Sequence, residues 1–80
     1  MKRQVYRGLR RILRRHLIAP ARLIPRRKLS AVFTSREERN ELYCDVEMAF
    51  RVQLDDAELR QLDTFQALAD YVVRCLAAAA

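Results

Sequence analysis

Ser35 opens the run Ser35-Arg36-Glu37-Glu38, directly ahead of a stretch with helical spacing. A serine in that place has two chemistries open to it. Its hydroxyl can cap the helix, accepting from the amide three residues on while the Glu38 carboxylate reaches back. Alternatively it can carry an ester-linked group. Free amides and the positive end of the helix dipole make a helix start an anion site. Thr34-Ser35-Arg36-Glu37 fits the cap template one residue earlier, so the helix is expected to start at Thr34 or Ser35. Other reactive side chains are few. His16 is the sole histidine and sits on the apolar edge of an arginine-rich segment, where a structural role is expected. Cys44 and Cys75 show neither CxxC nor zinc spacing, so they read as small buried or half-buried thiols in a reducing compartment. Cys44 has no base near it in the chain. With no carboxylate pair, metal-ligand set or phosphate loop, neither catalysis nor a metal is expected.

Charge supplies the second set of candidates. Arg7, Arg10, Arg11, Arg14 and Arg15 fall on one helical face, flanked by Lys2, Arg3, Arg22, Arg26, Arg27 and Lys28. Residues 1–35 hold eleven Lys/Arg and no acid, while residues 36–80 hold five Arg and ten Asp/Glu, a net of −5. The overall +6 therefore hides a cationic and an anionic half. The cationic half suits four situations. It can hold nucleic-acid phosphates, with steep salt dependence. It can lie on an anionic membrane surface through an amphipathic helix. It can meet an acidic protein, or it can simply be solvated. Only Tyr6 offers an aromatic for base stacking outside the expected core anchors. The arginine-rich, acid-free beginning is also similar to an organelle transit peptide, although its first serine is Ser30.

These residues need elements to hold them. Eighty residues with one short core's worth of apolar side chains imply one domain, and one this small buries only about 60% of its unfolded surface. Gly8 is the only glycine and Pro20 and Pro25 the only prolines, while Ala, Leu, Arg and Glu dominate, so the expectation is all-α. No apolar run approaches the ~18 residues of a membrane span, and the charged start lacks the apolar core of a secretory signal. A cytoplasmic location follows as the expectation. Val5, Leu9, Ile12, Leu13 and His16 form a stripe over residues 3–17, and Pro20 implies a helix end near Leu17 or Ile18. Residues 18–34 read as a long ordered loop, anchored by Leu23, Ile24, Leu29, Val32 and Phe33. The next helix presents Leu42, Tyr43, Val46, Ala49 and Phe50 to the core, and Glu38, Glu41 and Asp45 on another face. Residues 51–54 break the pattern. Asp55 then starts a short helix, and Asp63-Thr64-Phe65-Gln66 opens the last one, which buries Phe65, Leu68, Ala69, Val72, Cys75 and Leu76. The result is a bundle of three main helices plus one short helix, with a long loop after the first.

This order of elements, with "ELYCDVEMAFRVQLDDAELRQLDTFQALADYVV" over residues 41–73 and "LRRILRRHL" over residues 9–17, resembles the acyl carrier proteins. The family has a Glu-Leu pair in its second helix and a Phe at the end of it. A short x-Val-x-Leu segment and an acidic third helix follow, and then a last helix with a Leu-x-x-Tyr-Val pattern. The resemblance implies an acyl-carrier-protein-like bundle whose acidic second helix docks with biosynthetic enzymes. It also implies a 4′-phosphopantetheine arm on the Ser of a Gly-x-Asp-Ser-Leu motif. Aligned on Glu41-Leu42, the attachment position falls on Arg36, Ser35 takes the motif's Asp position, Glu37 replaces its Leu, and no Gly is nearby.

Three expectations follow. The first is a non-catalytic module without the arm, docking with a biosynthetic enzyme or another carrier protein through Arg36, Glu38, Glu41, Asp45 and Glu47. The second is a working acyl, aminoacyl or peptidyl carrier with 4′-phosphopantetheine on Ser35. The third is a basic binder of nucleic acid or a membrane surface, using the face of Arg7, Arg10, Arg11, Arg14 and Arg15.

Overall fold

The computed structural model describes residues 2–16 and 26–79. In chain order its helices are α1 (Lys2–Arg15), α2 (Leu29–Val32), α3 (Arg36–Phe50), α4 (Asp56–Leu59) and α5 (Phe65–Ala79). The described residues are all-α, with three long helices, two single-turn helices and one isolated bridge between Lys28 and Thr64. Where the sequence implies one short helix, there are two.

The stripe on α1 is buried as its spacing requires: Val5, Leu9, Ile12 and Leu13 are all 1–2% exposed. It packs against α3 and α5. Gly8 allows the approach to α3, because a Cβ there would lie 2.6 Å from the Phe50 ring. The helix ends at Arg15, short of the expected Leu17 or Ile18, and His16 closes a turn by donating its amide to Leu13 O at 3.0 Å. Arg14 and Arg15 in the last turn suit the negative end of the helix dipole. The expected anchors Leu23 and Ile24, with Arg22, lie outside the described residues.

Within residues 26–34, the described part of the expected loop, the structure corrects the sequence: Leu29–Val32 form the single-turn helix α2. This turn forms because a distant residue completes it. Lys28 gives no side-chain cap, but the Leu29 amide donates to Asp63 O at 2.7 Å. The Ser30 amide and hydroxyl donate to the Asp63 carboxylate at 3.3 and 3.4 Å. Asp63 therefore does not cap α5 as expected. Thr64 does, accepting from the Ala67 amide at 3.0 Å. Leu29 and Phe33 are buried and Val32 is half-buried, so this segment packs on the core as its apolar residues imply.

On α3 the core line is Leu42 and Val46, with Tyr43 and Phe50 half-buried. Ala49, expected in the core, is exposed: it lies on the flank of the last turn that no neighbouring helix covers. The helix stops at Arg51, whose left-handed backbone (φ 55°, ψ 46°) turns its amide back to Glu47 O. Asp55 caps α4, accepting from the Ala57 amide at 2.8 Å. Phe65, Leu68, Ala69 and Val72 of α5 are buried, with Cys75 and Leu76 half-buried. Tyr71, absent from the expected face, is also buried, because its hydroxyl accepts from the Asp55 amide at 2.9 Å and so stays satisfied inside.

Candidate functional site

Ser35 stands at the N-cap of α3, with extended backbone (φ −109°, ψ 155°) and its Oγ accepting from the Glu38 amide at 3.1 Å. Arg36 is the first helical residue. This decides between the two possible starts in favour of Ser35. The box is half-formed: among the described residues no hydrogen bond returns from the Ser35 amide to the Glu38 side chain. Ser35 is half-buried, and its hydroxyl oxygen accepts one hydrogen bond from the helix end.

Of the five residues expected on the docking face, Arg36, Glu38 and Glu41 are exposed. The other two are engaged inside the fold. Asp45 Oδ2 lies 2.8 Å from His16 Nε2. The imidazole in turn meets Phe33 edge-on, with ring centroids 6.0 Å apart at 81°. His16 thus fastens the end of α1 to α3. Glu47 Oε2 accepts from the Leu54 amide at 3.0 Å, bracing the turn after α3. In their place the structure exposes Cys44 and Met48, the latter 78% exposed. With Glu37 and Glu41 they follow helical spacing and make one ridge. The expectation of two buried or half-buried thiols holds for Cys75 only. Met48 was detectable in the sequence, since it lies away from the Leu42–Val46 line, but a lone methionine at helical spacing reads first as core.

A polar groove runs beside this helix start, between α2 and α4, lined by Arg36, Arg39, Tyr43, Arg60 and Asp63. Burial pushes the Tyr43 phenol above its ordinary 10.0; Arg39 partly offsets this and Asp63 adds to it. The folded state thus holds the phenolic proton more tightly than the unfolded chain. The associated stability is complete below about pH 10 and is lost as pH rises through the raised folded value. Urea midpoints measured across that range should fall more steeply for the wild type than for Tyr43→Phe.

Arg7, Arg10, Arg11, Arg14 and Arg15 are all exposed along α1. Among the described residues the only Lys/Arg–carboxylate pair within 4.0 Å is Lys2 Nζ with Asp70 Oδ1 at 3.2 Å, so no described arginine is neutralised this way. The described residues contain no cluster of three or more His, Cys, Asp or Glu suited to a metal, and no helix long and apolar enough to cross a membrane.

No protein-family model, curated protein or solved structure matches the chain.

Proposed function

We propose that this chain is a non-enzymatic docking module of the acyl-carrier-protein type, engaging a biosynthetic enzyme or another carrier protein through α3 without a phosphopantetheine arm. The observation that carries this reading is the register at the start of α3: Ser35 caps and Arg36 is the first helical residue. In the family pattern the modified serine follows the Asp position that Ser35 fills here. Moving Ser35 into its place means a rotation of about 100° around the helix and loss of the cap. This register supports the armless reading. The ridge beside them suits a partner. Glu37 and Glu41 supply charge that steers encounter and rejects acidic surfaces. Met48 supplies an apolar side chain that adapts its shape to a pocket.

The test is the intact mass of the protein after incubation with coenzyme A and a promiscuous phosphopantetheinyl transferase, alongside a control carrier. The expected result is an unchanged mass while the control gains the arm. A gain that disappears in Ser35→Ala would overturn the armless reading and make the chain a working carrier.

A further inference from the structure

A second surface, distinct from the α3 ridge, lies where the first half of α1 meets the start of α5. Arg3, Arg7, Arg10 and Arg26 line an open groove there, with Lys2, Tyr6 and Gln66. Arg3, Arg7 and Arg10 fall on one side of α1 because they are four and three residues apart. At 1.5 Å rise per residue they spread over roughly 10 Å. Tyr6 is half-buried: it packs against the core and also lines the groove. No acid is among the described residues that line the groove, and of its cations Lys2 pairs with a carboxylate outside the lining, Asp70. From this concave row of unneutralised guanidiniums with an aromatic among them, we propose that the groove binds single-stranded nucleic acid. Arg3, Arg7, Arg10 and Arg26 hold successive phosphates, and Tyr6 stacks on a base.

The rest of the molecule argues for this ligand over the two other anionic ones. An amphipathic helix lies in a membrane by burying its apolar face among lipids. The apolar stripe of α1 is already closed inside the bundle, at 1–2% exposure. A protein interface is anchored at its centre by a cluster of large side chains, Tyr and Trp among them. Tyr6 is the one such side chain among the described residues lining this groove, and Met48, the large apolar side chain that stands exposed, is on α3. A basic groove with an aromatic platform is what a single strand requires, since phosphates supply affinity and every base has a face to stack.

The experiment is fluorescence anisotropy of a labelled oligouridylate titrated with the full chain, with heparin and phosphatidylserine vesicles as competing polyanions. Four phosphate contacts on a single strand imply a log–log salt slope of roughly −3, or about a 50-fold loss of affinity between about 50 and 200 mM salt. Arg7→Ala/Arg10→Ala should weaken binding at least about tenfold and shorten that slope by roughly 1.4. Arg14→Ala/Arg15→Ala removes the same charge from the same helix outside the groove and should weaken it much less. Tyr6→Leu, which keeps an apolar body against the core, should cost about tenfold for the oligonucleotide and leave heparin binding unchanged. Three results would overturn the proposal. They are equal losses in the two arginine pairs, no loss in a Tyr6→Leu protein with wild-type circular dichroism, and tighter binding to the vesicles than to the strand. The exposed arginine pair decides the matter even if Tyr6→Leu fails to fold.

Discussion

Phe33→Ala is expected to remove about 3–5 kcal/mol of stability, the largest loss predicted for a single side chain in this molecule. Phe33 is 2% exposed although it lies outside any helix, between α2 and the cap of α3. Its ring ties this connecting segment to the core and meets the edge of His16, which is itself held by Asp45. Truncation leaves a cavity that one turn of helix and a loop cannot close. It also takes away the surface that orients the imidazole. A chain of this length has only roughly 4–12 kcal/mol of stability in total, so the variant sits at or near the folding threshold. Thermal unfolding should show a fall in Tm of roughly 12 °C or more. Phe33→Leu, which keeps most of the volume, should cost less than about 1.5 kcal/mol. A small loss in Phe33→Ala would mean that residues 26–35 pack loosely and that the core closes without them.

Glu47→Ala is the second large effect, expected at about 1.5–3 kcal/mol. The sequence places Glu47 among acidic docking residues, and the fold uses it differently. Its carboxylate receives the Leu54 amide at 3.0 Å, while its backbone carbonyl receives the amides of Arg51 and Val52. One residue thus closes the turn after α3 from both its side chain and its main chain. Removing the carboxylate leaves a part-buried amide without its partner and frees the approach to α4. Glu47→Gln keeps an acceptor oxygen without charge and should lose only about half as much. Urea denaturation distinguishes the two roles. A residue that only docks would leave the midpoint unchanged; a brace shifts it downward, more in Ala than in Gln.

The parts of this fold that were legible in sequence are those decided within one turn of helix. The α1 stripe, the Leu42–Val46 line and the apolar face of α5 follow from spacing, and the cap at Asp55 from residue type, which leaves Thr34 and Ser35 both open as the cap of α3. What local pattern could not show is where a polar group spends its hydrogen bonds across the fold. Asp63 looks like a cap for α5, yet it completes α2, thirty-odd residues back, and Thr64 takes over the nearer task. Tyr71 is buried because Asp55 satisfies its hydroxyl from another element. The same limit governs the sites. Arg7 and Arg10 are recognisable as a basic face, but their grouping with Arg26 and Gln66 depends on how α1 crosses the start of α5. Glu38 and Asp45 share a helical face, and only the position of His16 separates one that faces solvent from one that is engaged.

The packing of α1 against α5 also fixes the order in which this chain can acquire structure. The two helices are separated by about 50 residues, so their contact closes a long loop and comes late. During translation at roughly 5–20 residues per second, α1 waits about 3–13 s after its own synthesis before α5 has been made. Through that interval Val5, Leu9, Ile12 and Leu13 have no complete shelter. The exposed arginines of α1 add net charge to the chain at that stage, and net charge favours solubility while the apolar stripe is uncovered.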